Sequence, residues 1–148
     1  MLKNKYINIY IFLNINMNNN NLEEYIDICI DSNGSHYDVS KVIYELIKDK
    51  FNYCGKNIWK YNENNNYIID DKQYKLKKEL SSNIINRFIL RSNYWDDKSI
   101  LETDINISLN YQLKSSILLQ IANKLKDDKF IICIIKELKQ FFNTIIDD

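Results

Sequence analysis

Proline is absent from this 148-residue chain, glycine occurs twice and histidine once. Two glycines, Gly34 and Gly55, do not make a phosphate-binding loop. That loop needs Gly-x-x-x-x-Gly-Lys-Ser/Thr, so that backbone N–H groups can wrap the phosphates. The one Gly-Lys pair, Gly55-Lys56, is followed by Asn57, and Lys50 stands where the first glycine belongs. Gly34 leads into Ser35-His36-Tyr37 with no lysine beside it. The expectation is a chain that is no ATPase on its own.

Cysteine is also scarce. Cys29, Cys54 and Cys133 are isolated and odd in number, with neither Cys-x-x-Cys spacing nor a disulfide framework. They read as buried free thiols in a reducing compartment. An excess of either charge is missing too, because twenty basic and twenty acidic residues cancel. A neutral chain exerts no global pull on nucleic acid, so any such role must rest on a local patch. Long apolar runs are absent. The stretch Tyr6 to Leu13 is broken by Asn8 and followed by Asn14, Asn16 and Asn18. A bilayer span takes about twenty residues, and no small-residue cleavage site follows. The expectation is a soluble intracellular protein with no membrane partner.

Asn, Ile, Lys and Tyr are used heavily, and all four have AT-rich codons. That bias describes the source genome and weakens any argument from Asn or Lys abundance alone. Apolar residues still make up 45% of the chain, enough for a core in one domain.

Residues 1–21 end in Asn18-Asn19-Asn20-Asn21 and read as a disordered Asn-rich leader, with Met17 an alternative start. A single domain is expected over 22–148. Its first segment places Leu22, Tyr25, Ile26, Cys29 and Ile30 at helical spacing, with Asn21 as cap and Asn33-Gly34 as stop. A strand that alternates Ile26, Ile28 and Ile30 is the weaker alternative. Ser35 and Asp38 stand three apart before a second helix, whose stripe is Val39, Val42, Ile43, Leu46 and Ile47. Phe51–Cys54, Ile58–Tyr61 and Tyr67–Ile69 read as an antiparallel meander, turning at Gly55 and over Glu63–Asn66.

A long helix is expected from about Lys72 to Asn93, with Leu76, Leu80, Ile84, Ile85 and Phe88 facing the core. Tyr94 to Asn106 reads as loop, anchored by Tyr94 and Trp95. Two more helices follow. The first turns Leu113, Ile117, Leu118, Ile121 and Leu125 inward. Asp127 and Asp128 can cap the second, which carries Phe130, Ile131, Ile134, Ile135, Leu138, Phe141 and Phe142. The fold class is mainly α with a small antiparallel β-meander, an α+β single helical domain with a three-stranded hairpin insert.

The run His36-Tyr37-Asp38-Val39-Ser40-Lys41-Val42-Ile43-Tyr44-Glu45-Leu46-Ile47-Lys48-Asp49-Lys50-Phe51, followed by Asn57-Ile58-Trp59-Lys60-Tyr61, carries a family likeness. It resembles the domain that precedes the helicase motor in poxvirus-type primase-helicases of large DNA viruses, found also in some phage and plasmid primases. Leu76-Lys77-Lys78-Glu79-Leu80 resembles that family's helix start, and Leu125-Lys126-Asp127-Asp128-Lys129-Phe130 its lead into the last helix. The likeness covers about residues 35 to 148. Tyr67 departs from it, standing where many relatives carry a second tryptophan. The resemblance implies a non-catalytic module of a viral DNA replication helicase-primase, docking subunits or DNA beside a superfamily 3 motor that this chain lacks. It also implies a host cytoplasm or viral replication site.

The residues themselves support little chemistry. His36 with Ser35 and Asp38 sits at one helix start, whereas a catalytic triad converges from separate parts of a fold. The acidic pairs Asp70-Asp71, Asp96-Asp97, Asp127-Asp128 and Asp147-Asp148 read as caps and turns more than as two-metal ligands. No enzyme activity, cofactor or metal is expected. Lys56, Trp59, Lys60 and Tyr61 gather base and ring near a turn, a surface that can stack an unpaired base. Alternation puts Trp59 and Tyr61 on one face and Lys60 on the other, which favours packing. Lys75 and Lys78 share a helix face that could follow a phosphate backbone. The candidate nucleic-acid contacts are thus Lys56, Lys60, Lys75 and Lys78, with Trp59 packed beneath. The competing expectation is a helical module that binds another polypeptide, or itself, and no DNA. Its surface would be the apolar stripe of the last helix through Phe141, Phe142, Ile145 and Ile146.

Overall fold

Asn33 and Gly34 turn the chain out of its first helix, and both adopt left-handed backbone angles, φ 54° and 76°. The Gly34 amide closes that helix by donating to the Cys29 carbonyl at 2.8 Å. The computed structural model describes residues 21–143. The expected Asn-rich leader, apart from Asn21, lies outside them, as do Ile145 and Ile146. Helix α1 spans residues 21–31, so Asn21 belongs to it.

Helix α2 (His36–Ile47) starts where the Asp38 amide donates to the Ser35 hydroxyl at 3.2 Å. Val39, Val42, Ile43 and Ile47 form its buried stripe. The stripe faces helix α6 (Asp128–Asn143), which buries Ile131, Ile134, Ile135, Leu138 and Phe142. Each such side chain contributes roughly 1.5–3 kcal/mol by leaving water. The small Ser40 lets the two helices close, its hydroxyl donating to the Ile134 carbonyl at 3.3 Å. Tyr44 lies between Phe141 and Phe142, with ring centroids 5.5 and 4.9 Å away.

Three short strands follow, β1 (Phe51–Tyr53), β2 (Trp59–Glu63) and β3 (Asn66–Ile69), antiparallel in sequence order. The turn between β2 and β3 is shorter than the four residues expected, because Glu63 and Asn66 pair in the ladder. Asn64 and Asn65 make it with φ 51° and 66°, the angles a two-residue hairpin turn demands. Phe51, Tyr53 and Trp59 point into the core, and Trp59 meets Phe142 edge-on at 5.2 Å.

Asp70 is buried after β3 and caps the next helix, its carboxylate accepting from the Lys75 and Leu76 amides at 2.8 and 2.9 Å. The expected long helix is interrupted. Lys72 and Gln73 have φ 53° and 60°, and α3 (Tyr74–Glu79) passes through a π-helical turn, Leu80–Ile84, into α4 (Ile85–Leu101). The hydroxyls of Ser81 and Ser82 both donate to the Lys78 carbonyl, competing with the regular helical bonds there.

The expected loop over Tyr94 to Asn106 is corrected. Helix α4 runs on to Leu101, and α5 (Ile105–Lys124) begins three residues after Glu102. The buried stripe of α4 continues through Phe88, Ser92, Trp95 and Ser99, and its serines hide the stripe from hydropathy. Asp96 and Asp97 therefore lie within a helix, not at a turn. Ser92 donates to the Ser115 carbonyl at 2.8 Å, joining α4 to α5. Helix α1 is held to α4 by Arg91, whose guanidinium meets the Asp27 carboxylate at 2.9 and 2.6 Å. The fold is mainly helical with a small antiparallel sheet, the class expected.

Candidate nucleic-acid interface

Two clusters combine positive charge with aromatic rings, and the packing gives them different uses. The first joins α4 to α5. Arg91 lies 4.0 Å over the Tyr94 ring, Lys114 4.3 Å over Trp95, and Lys98 within 5.3 to 5.6 Å of Tyr94, Trp95 and Tyr111. The Trp95 indole N–H donates to Asp27 at 3.0 Å. Hydrogen bonding to Tyr94, and its nearby charge, raise the Lys98 pKa above its ordinary value. These rings already carry cations of the same chain, so the cluster fastens helices together.

The second cluster surrounds the hairpin. Lys56 is exposed in the β1–β2 turn at φ 52°, and Trp59 beneath it is fully buried. A buried ring offers no face for a base, although the Trp59 indole N–H has no hydrogen-bond partner among the described residues. Lys60 is half-buried, opposite Asn52 on one side and Ile69 on the other. Lys75 and Lys78 are exposed on α3, and the Lys75 ammonium sits 5.4 Å over the Tyr61 ring. The start of α3 and the hairpin are therefore neighbours.

Sequence reasoning missed the groove beside them. Gln73, Lys77, Ile132, Ile135, Lys136 and Lys139 line a hollow of about 330 Å³ between α3 and α6. Two isoleucines and three lysines share its lining, Ile135 buried and Ile132 62% exposed, and no carboxylate is among the described residues that line it. Lys139 donates to the Asn57 side chain, so the groove runs on to the turn that bears Lys56. The signal in the sequence is the i, i+3 pair Lys136 and Lys139 on the polar side of α6. A larger hollow of about 470 Å³ near α1 has walls of mixed charge, and Lys48 there pairs with Glu45 at 2.8 Å.

The three thiols are free, as expected, but only one of them is fully buried. Cys29 is buried, Cys133 half-buried and Cys54 exposed, because Cys54 begins the glycine turn. Burial first, and then the charge of Asp38, push the Cys29 thiol up to about 12, so it stays protonated and poorly nucleophilic. The His36 ring packs edge-on against Phe130 at 5.3 Å. Among the described residues no group of His, Cys, Asp and Glu could hold a metal, and no helix is long and apolar enough to cross a membrane.

No protein-family model matches the chain, and no curated protein matches it.

Proposed function

We propose that this domain is a non-catalytic module of a viral DNA replication helicase-primase, contributing a DNA contact beside a superfamily 3 motor. The observation that carries the reading is the groove of Lys77, Lys136 and Lys139, without a carboxylate, beside the hairpin that bears the family resemblance. Lysine ammonium groups are compact charges suited to a phosphate backbone, and Ile132 and Ile135 line the same hollow. Lys56 lies in the turn that Lys139 reaches through Asn57. Lys75 and Lys78 are exposed on the same helix as Lys77, whereas Lys60 projects from the sheet face opposite Trp59 and Tyr61. Trp59 serves as packing for the hairpin.

The test is binding of a labelled single-stranded oligonucleotide across a salt series. Lys77, Lys136 and Lys139 changed together to Ala should weaken binding and flatten the salt dependence by about 0.7 in slope per lost contact. The quadruple Ala variant of Lys56, Lys60, Lys75 and Lys78 should have the smaller effect. Unchanged affinity and slope in the triple variant would sink the reading. A second reading, a helical protein-interaction module without DNA binding, is favoured by the exposed aliphatic side chains of α5. Salt-insensitive behaviour with oligonucleotide and a concentration-dependent mass would select it.

A further inference from the structure

Most tyrosine rings of this fold already have a partner. Lys41 lies over Tyr25, Lys75 over Tyr61 and Arg91 over Tyr94, and other rings meet a neighbouring aromatic side chain. Among the described residues, Tyr67 and Tyr74 alone have neither a ring nor a cation against them. Tyr67 stands on β3, on the sheet face away from Tyr61. Tyr74 is the first residue of α3 and is 67% exposed, more than any other described aromatic side chain.

The place of Tyr74 gives that open ring a use. Lys77 and Lys78 stand three and four residues further along the helix, so both are its neighbours on the surface. Lys77 also lines the hollow between α3 and α6, as does Gln73, the residue before Tyr74. The ring therefore stands at the rim of that hollow. Among the described residues, the ammonium groups of Lys77, Lys78 and Lys136 form no ion pair. The contrast with the α4–α5 cluster is direct, because there ring and cation satisfy each other, and here both stay open.

Unpaired ammonium groups beside an unpaired ring and an exposed isoleucine, Ile132, favour a ligand with phosphates and flat apolar faces together. An acidic peptide pairs with the lysines but leaves the ring unused. A duplex hides its base faces in the stack and lays phosphates over Tyr74 and Ile132. A single strand presents phosphate and base face at once.

We propose that Tyr74 is a base-stacking platform at the rim of the lysine hollow, and that the nucleic acid this hollow takes is single-stranded. The inference rests on the DNA reading above and adds to it the form of the DNA and a residue that reading does not use.

Fluorescence anisotropy of the full chain tests it with three labelled probes of equal phosphate number. These are an oligothymidylate, a hairpin duplex and an abasic single strand. The oligothymidylate should bind more tightly than either of the others. Tyr74→Ala should weaken it by roughly 5- to 150-fold, the range for one lost stacked base, and Tyr74→Phe should not. The salt slope should stay as in the parent, because no cation is removed. The abasic strand should bind the parent and Tyr74→Ala alike. Should Tyr74→Ala fail to fold, the preference of the parent for the base-bearing strand over the abasic one still decides. If no probe binds in a salt-dependent way, the DNA reading falls and the platform with it. If binding depends on Lys77, Lys136 and Lys139 but Tyr74→Ala matches the parent, the DNA reading stands and the platform is overturned. Equal affinity for the oligothymidylate and either other probe overturns it in the same way.

Discussion

Helix α6 sends Ile131, Ile134, Ile135, Leu138 and Phe142 to one side and buries all five, leaving Lys129, Lys136 and Gln140 outside. Helix α5 is as rich in aliphatic residues but buries Leu118, Ile121 and Ala122, all in its second half. The difference is one of period. In α6 the apolar positions recur every three or four residues and stack into a stripe. In the first half of α5 they alternate, Ile105, Ile107, Leu109, Tyr111, Leu113, which suits a strand. Wound into a helix, that alternation steps around the cylinder and leaves apolar groups on every side. The last helix was expected to have surplus apolar surface, but within the described residues its stripe is spent in the core. Phe141 is half-buried, stacked on Tyr44 and 5.3 Å from Tyr37. The surplus lies on α5.

The largest expected contrast compares one leucine from each helix. Leu138→Ala removes a fully buried side chain and should cost about 2–5 kcal/mol of unfolding free energy. Leu109→Ala, measured in dilute protein, should stay within about 0.5 kcal/mol of the parent. Denaturant midpoints with an unchanged slope would report both. Equal losses would break the comparison, since they would mean that the outer face of α5 is covered in the dilute state as well.

The parts of the fold that sequence made legible are those where pattern and packing agree. Ser35, Gly34 and the Asn pair at 64–65 act locally, through caps and left-handed turns, and their residue types announce them. The α6 stripe and the meander were legible by period. The end of α4 was not, because Ser92 and Ser99 occupy buried positions as polar residues satisfied by hydrogen bonds to the Ser115 and Asp96 carbonyls. The start of α5 was hidden by its strand-like alternation. At the site, Lys75 and Lys78 stood out because they crowd a helix start. Lys77, Lys136 and Lys139 form one groove only after α3 and α6 come together from distant parts of the chain.

A smaller effect probes the inner face of α5. At Gly34 an added Cβ would lie 2.7 Å from the Ile121 side chain, closer than packed atoms approach. The φ of 76° at this position is also one that a residue with a Cβ adopts at a cost. Gly34→Ala should therefore destabilise by about 1–3 kcal/mol. Adding Ile121→Ala should cost less in the Gly34→Ala background than in the parent, because it removes Cγ1 and Cδ1, the two carbon atoms nearest the new methyl group. A strictly additive double variant would show that the strain is in the backbone alone.

The smallest expected change lies at the seam between α4 and α5. The Ser92 hydroxyl donates to the Ser115 carbonyl at 2.8 Å and stands 2.9 Å from the Ser115 hydroxyl. Ser92→Ala keeps the close approach of the helices and removes the donor. Loss of one hydrogen bond inside a folded chain costs about 0.5–1.5 kcal/mol, so a modest fall in thermal midpoint is expected. The informative readout is amide exchange in the hairpin. If the α4–α5 pair is a rigid unit, exchange should quicken along both helices, from Phe88 to Ser99 and from Ser108 to Leu118. Faster exchange in α5 alone would show that its first half, with the apolar groups spread around the helix, is held mainly by this seam. That result would make the uncharged face of α5 the least stable part of the fold, in contrast to the buried stripe of α6.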